Sequence, residues 1–279
     1  MICTMFEIQQ EKALLGATIL GVDLTKNLKD EEVAFINQAL AIHQVIFFRN
    51  QELSSSDHRR LALKFGNLQT HPAYPTVEHF PEITILENDR ENPSKIEEWH
   101  TDMTFKSHPP LGSILIGKVI PETGGDTLFS SLASAYDDLD DDVKKSLEGL
   151  TAEHSFEHGF KESLAEPGGR ERLADALINN PPVNHPVVRT HPVTKRKLLY
   201  VNRLFTHKIN GLENKESKKM LAYLCDHIQK DKYVCRFVWE KDSIAFWDNR
   251  SVLHKPDNTY WPQLRRMERI TIDDAKRPY

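Results

Sequence analysis

The runs "EITILEN" (82–88), "GSILIGKVI" (112–120) and "GGDTLFSS" (124–131) are short, β-branched and divided by Pro and Gly, the pattern of an antiparallel β core. On the N-terminal side, "ATILGVDLTKNL" (17–28) alternates weakly like a strand, and "KDEEVAFINQALAIH" (29–43) sets Val33, Ile36, Ala39 and Leu40 at helical spacing. "QVIFFRN" (44–50) reads as a buried β segment, and "SSSDHRRLALKFG" (54–66) as a serine-capped helix through Leu61 and Phe65 that stops at Gly66. On the C-terminal side, "SLASAYDDLDDDVKKSLEGL" (131–150) returns to helix, its Asp137 to Asp142 cluster a solvated face. Residues 157–180 are polar and Gly-containing, a long connection of no assigned structure that could cover a site. "KRKLLYVN", the helix "NKESKKMLAYLCDHIQ", and the strands "YVCRFVW" and "SIAFWDNR" complete a chain that is mainly β with flanking helices.

At 279 residues, with no linker composition, one domain spanning 1–279 is expected. A net charge of −5, from 36 basic and 41 acidic residues without a basic block, argues against nucleic acid as a partner. Cys3, Cys225 and Cys235 are odd in number and lack CxxC spacing, which argues against a disulfide framework or a thiolate zinc site and favours a reduced cytoplasm. Nothing reads as a targeting or membrane-spanning segment.

The chemistry centres on "EEWHTDMTF" (97–105), which reads as extended chain. Alternate side chains of a strand share a face, so His100 and Asp102 would project together, either as metal ligands or as a hydrogen-bonded His–Asp pair. "WDNRSVLH" (247–254) offers His254 as a third donor. Two histidines and one carboxylate are the donor set of non-haem Fe(II), and zinc would accept the same donors. Arg265 and Arg269 in "PQLRRMERITI" (262–272) stand four apart, on one face of a strand, and guanidinium groups hold carboxylates bidentately, as a dicarboxylate cosubstrate such as 2-oxoglutarate requires.

Together with "PETGGDTLF" (121–129) and "NPPVNHPVVRTHPVTKRKLLYVN" (180–202), these motifs resemble, in matching order over nearly the whole chain, the taurine dioxygenase family of Fe(II)/2-oxoglutarate-dependent oxygenases. The resemblance implies a double-stranded β-helix, or jelly-roll, core with helices packed outside. It makes His100, Asp102 and His254 the catalytic iron ligands, His254 preceding Arg269 by fifteen residues as the pattern expects. It places Thr127 and Arg265 on the distal carboxylate of 2-oxoglutarate, and Arg269 near its C1 carboxylate and the substrate sulfonate. His71 and Tyr74 in "THPAYP" match the substrate side, and Phe160 and Phe205 the aromatic pocket walls. The implied reaction uses Fe(II), 2-oxoglutarate and O2, hydroxylates a small anionic organosulfur substrate and releases sulfite or sulfate, with succinate and CO2 as co-products. Self-association, common in the family, is left open.

Two positions depart from the taurine pattern. Ile96 stands four before His100, where an Asn near the substrate amine is typical, and Gly159 precedes Phe160, where a Ser is expected. Both changes remove polar groups from the end that would solvate an ammonium, which points to an amine-free alkanesulfonate or alkyl sulfate unless Glu97 or Glu98 compensates. The alternatives are a metal-dependent hydrolase using a metal-bound water, or a non-catalytic metal-binding protein on the same β scaffold. Among the other histidines, His185 and His191 in "HPVVRTHP" precede prolines and read as strand boundaries, while His154 and His158 would pair on a metal only if both lay on a helix. Cys225 and Cys235 read as core, and Trp239 and Trp247 as packing residues between sheets.

Overall fold

Two β-sheets lie face to face in the computed structural model, which describes residues 6–94, 96–274 and 276–279; Cys3 lies outside them. The larger sheet runs, in spatial order, Glu7–Gln10, Ala17–Leu20, Val45–Phe48, Ile244–Asp248, Gly112–Val119, Arg265–Ile272, Phe80–Asn88 and Thr76–Val77, with Leu68–Gln69 also paired to Arg265–Ile272. The smaller holds Thr127–Ser131 between Val234–Phe237 and Val252–Pro256. From Gly112 onward the chain passes from the large sheet to Thr127–Ser131 and later Val234–Phe237 of the small one. It then returns to Ile244–Asp248, crosses to Val252–Pro256 and ends in Arg265–Ile272 of the large one. This winding is the double-stranded β-helix.

The large sheet is covered on both faces, so its strands read as continuous apolar runs instead of alternating. Ile46, Phe48, Ile114, Ile116, Ile244, Phe246, Ile270 and Ile272 point outward to a core shared with Ile36, Leu40, Leu61 and Ala62 of the helices Asp30–His43 and Ser55–Leu63. Val45, Phe47, Leu115, Ala245, Trp247 and Met267 point inward, against Phe129, Cys235, Phe237 and Val252 of the small sheet. The Phe47 and Phe237 rings stack across the gap at 4.1 Å. Ser54 caps the second helix by accepting from the Asp57 N–H, and the Asp57 carboxylate accepts from the Ser54 N–H in return.

Two helical segments differ from their sequence reading. Residues 131–150 hold two helices, Leu132–Asp137 and Asp141–Leu147, because the buried Leu139 turns inward and the extended backbone of Asp140 breaks the run before a new start. The Asp137–Asp142 aspartates are solvent-exposed, as read. Residues 157–180 are not irregular: Phe156–Gly159, Lys161–Ala165, Gly169–Arg172 and Ala174–Asn179 are short helices held by Phe156, Phe160, Leu164, Leu173 and Ala176 packing on Met103, Phe105 and Phe205. No single helix is long enough there for its periodicity to show in sequence. Cys225 and Cys235 are buried in separate clusters, where burial pushes both thiols up to about 12.

Since Phe47 joins both sheets through Phe129 and Phe237, truncation leaves a void between two surfaces that cannot close independently. Phe47→Ala is expected to lower the unfolding free energy by about 3–5 kcal/mol in urea denaturation. A loss below about 1 kcal/mol would contradict this packing.

Candidate active site

The inward faces of the inner strands become polar at one end of the β-helix. On Arg265–Ile272 the inward series is Arg265, Met267, Arg269 and Thr271, while Arg266 turns away to Glu87 and Glu268. On Val252–Pro256, Val252 packs inside and His254 follows it on the same face.

His100 reaches His254 by backbone pairing, with N–H to carbonyl bonds in both directions at 3.0 and 2.7 Å. The HxD segment is not the extended strand that its sequence suggests. Only His100 is bridged; the chain turns from Asp102 to Phe105, with Met103 at a φ of 46°. Asp102 is delivered by this turn and not by strand alternation. The turn is pinned from two sides. Thr101 Oγ1 donates to the Asn249 backbone and side-chain oxygens at 2.8 and 3.0 Å, and His185 Nε2 donates to the carbonyls of Thr104 and Lys106 at 2.9 and 3.0 Å. His185 thus does more than mark a strand end.

Donor atoms of His100, Asp102 and His254 lie within 4.8 Å of one another, and all three side chains are buried. His100 Nδ1 donates to the Glu98 carbonyl at 2.9 Å, which leaves the Nε2 lone pair free. Burial lowers the pKa of both imidazoles, so the rings are neutral and can ligate. Burial alone would raise the Asp102 carboxyl, but the Arg269 guanidinium, the two imidazoles and the Ser113 hydroxyl outweigh it and hold the group well below the usual carboxylate range. Arg269 Nη1 donates to Asp102 Oδ1 at 2.6 Å and Ser113 Oγ to Oδ2 at 2.7 Å. Asn249 ties this together, its Nδ2 donating to Ser113 Oγ and its Oδ1 accepting from Trp247 Nε1 at 2.7 Å. Two neutral nitrogen donors and one ionised carboxylate fit a divalent transition-metal ion.

Every residue that the sequence assigned to cosubstrate or substrate lines one cavity of about 920 Å³ with the triad: His71, Tyr74, Thr127, Phe160, Phe205, Arg265 and Arg269. Arg265 is buried, its Nε donating to the Gly125 carbonyl at 3.0 Å and its guanidinium 5.7 Å from the Tyr260 ring centre. Burial pulls its pKa down to about 10, and among the described residues no carboxylate forms an ion pair with it. Gly125, at φ 77°, leaves room for that side chain; a Cβ there would meet Arg265 at 3.3 Å. His71 accepts the Ala73 N–H on Nδ1, and burial, reinforced by Arg269, lowers it to about 3, so it is neutral.

Ser113, Asn249 and the hydrogen-bonding roles of Trp247 and Trp239 escaped the sequence reading. Ser113 could have been placed from strand alternation with Leu115 once that strand's inward face was known. His154 closes its strand and His158 sits on the following helix; His154 Nδ1 instead bonds Thr104 Oγ1 at 2.9 Å, so the two do not form a metal pair. His191 is buried against Asp248 at 3.0 Å.

A His/Asp/His triad inside a double-stranded β-helix, with a buried guanidinium lining the same cavity, defines the class of non-haem, Fe(II)- and 2-oxoglutarate-dependent dioxygenases. Residues 7–271 match the model of the taurine catabolism dioxygenase TauD, TfdA family, and the chain belongs to that family. It is 34% identical over 262 residues to an alkylsulfatase of Acinetobacter baylyi, covering 92% of this chain and 82% of that one. It is 32% identical to an alpha-ketoglutarate-dependent sulfate ester dioxygenase of Pseudomonas putida, covering 92% of this chain and 86% of that one. The crystal structure of a taurine dioxygenase from Burkholderia xenovorans superposes with a TM-score of 0.83 at 33% identity, covering 98% of this chain and 90% of that one.

Removal of one partner of the buried Asp102–Arg269 pair strands the other charge. In chelator-treated protein, Asp102→Ala is expected to cost about 3–5 kcal/mol of stability, and the double variant Asp102→Ala/Arg269→Leu to regain most of it. Urea denaturation of the four proteins of this cycle checks the coupling, and simple additivity would contradict it.

Proposed function

We propose that the chain oxidises an amine-free alkyl sulfate or alkanesulfonate longer than taurine. The observation that carries this reading is the distribution of charge around the cavity. Its buried carboxylate is Asp102, already engaged by Arg269 and Ser113, while the other acidic residues on its lining, Glu87, Glu91, Glu97, Glu98 and Glu162, are exposed. The wall where a taurine ammonium would need a partner carries Ile96 and the Phe205 ring instead. Phe205 lies within 2.4 Å of where a Cβ at Gly159 would stand, so no side chain fits at 159 without moving that ring. An ammonium buried there would be unpaired, whereas an alkyl chain would gain apolar contact. About 920 Å³ is also far more space than a five-carbon diacid and a two-carbon sulfonate fill. Relatives acting on sulfate esters support the same direction.

In this reading His100, Asp102 and His254 hold Fe(II), and Arg265 with Thr127 receives the distal carboxylate of 2-oxoglutarate. Arg269 stands near the C1 carboxylate and the substrate anion. His71, neutral and with Nδ1 occupied, offers Nε2–H to a sulfonyl oxygen beside Tyr74, and Phe160 and Phe205 hold the alkyl chain over the triad. When bound, Fe(II) with 2-oxoglutarate and O2 supplies the oxidising power that converts a C–H bond to C–OH, giving succinate and CO2. The residues choose which carbon is presented: fixing the anion places the adjacent carbon nearest the triad. Hydroxylation of that carbon gives a 1-hydroxyalkyl sulfate or sulfonate, which collapses to an aldehyde with loss of sulfate or sulfite.

The test is a panel of medium-chain alkyl sulfates, alkanesulfonates, an aryloxyacetate and taurine at equal concentration, with succinate and released sulfate or sulfite both measured. A kcat/KM at least about tenfold above that for taurine is expected for the best amine-free organosulfur compound. Preference for taurine or for the aryloxyacetate would refute the assignment, and absence of succinate with every compound would refute the cosubstrate roles.

A further inference from the structure

Trp239 Nε1 donates to Thr127 Oγ1 at 2.9 Å, and both side chains are buried. The indole is itself fixed. It packs over the bare Cα of Gly117, where a Cβ would come within 3.2 Å of it, and it meets the Phe237 ring edge-on at 4.8 Å. A hydroxyl has one hydrogen and two lone pairs, so a donor held against Oγ1 takes one lone pair and leaves one hydrogen and one lone pair for a ligand. Were the Thr127 hydrogen free to rotate, the group could turn a lone pair toward an incoming anion, which repels it. With the indole hydrogen on one lone pair, the hydroxyl hydrogen points elsewhere, and among the described residues it meets no protein acceptor. Arg265 is anchored in the same manner: the Gly125 carbonyl, two residues before Thr127, occupies Nε and leaves the outer nitrogens to the cavity.

We infer that Trp239 is a positioning residue for keto-acid recognition: by occupying one lone pair of Thr127 Oγ1 it narrows that hydroxyl's orientations and favours donation of its hydrogen to the carboxylate held by Arg265. The inference rests on the reading that Thr127 and Arg265 receive the distal carboxylate of 2-oxoglutarate. It assigns Trp239 a role in ligand affinity and none in the oxidation step.

Calorimetric titration of the Mn(II)-loaded full chain tests it, with 2-oxoglutarate and with 2-oxovalerate, a keto acid without the distal carboxylate. Trp239→Phe is expected to weaken 2-oxoglutarate binding about 5- to 10-fold and to leave 2-oxovalerate within about twofold. Thr127→Val should weaken 2-oxoglutarate to a similar degree, with less than about twofold further loss when both changes are combined. If Trp239→Phe fails to fold, benzothienylalanine at position 239, which keeps the ring and loses only the N–H, reads the same bond. Equal weakening of both acids, additive losses, or unchanged affinity would overturn the role of Trp239. If Arg265→Ala and Thr127→Val also leave 2-oxoglutarate affinity unchanged, the carboxylate assignment itself falls, whereas weakening by Arg265→Ala without any effect at Trp239 refutes only the positioning role.

Discussion

The site depends on one short piece of backbone pairing. Two hydrogen bonds join His100 to His254, and they fix the spacing of two imidazoles that the chain supplies from opposite ends of its β core. The remaining supports serve this junction. Asn249 holds Thr101 on one side and Ser113 on the other, and His185 gathers the carbonyls of the following turn. The two faces of the large sheet are filled independently by aliphatic and aromatic side chains, so the strands that carry Ser113, Arg265 and Arg269 cannot shift register without exposing a core.

The buried arginines Arg250, Arg265 and Arg269 differ in how their charge is met. Arg250 is nearly covered, but its partner Asp248 accepts two hydrogen bonds from its guanidinium, a third from its backbone N–H and a fourth from His191, and Asp274 lies 3.8 Å away. That cluster is closed within the protein. Arg265 has comparable burial, a carbonyl for one nitrogen and an aromatic ring alongside, with its charge otherwise directed at the cavity. Desolvating a guanidinium without a counter-charge is costly, and the cost is offset when an anion enters. Arg269 stands between these cases, paired with Asp102 through Nη1 while its Nε has no hydrogen-bond partner among the described residues.

The sheet structure was legible because its physical causes are local. "VIFF", "SILIG" and "IAFW" are strands buried on both sides, and the Ser54 cap is a reciprocal bond between residues three apart. The short helices of 156–179 were not legible, since each spans about one turn and is held by aromatic packing against Phe105 and Phe205 from distant segments.

For the site, the sequence by itself determined the donor types: His100, Asp102 and His254 as ligand candidates, and Arg265 and Arg269 on one strand face by alternation. Only the tertiary structure decided how they meet. Asp102 arrives on a turn, Trp239 and Trp247 add hydrogen bonds to their packing, and Phe205 occupies the space beside Gly159. The division follows from range. Side-chain chemistry and strand alternation are carried by neighbouring residues, whereas the direction of a turn and the second partner of a buried donor are set by contacts across more than a hundred residues of chain.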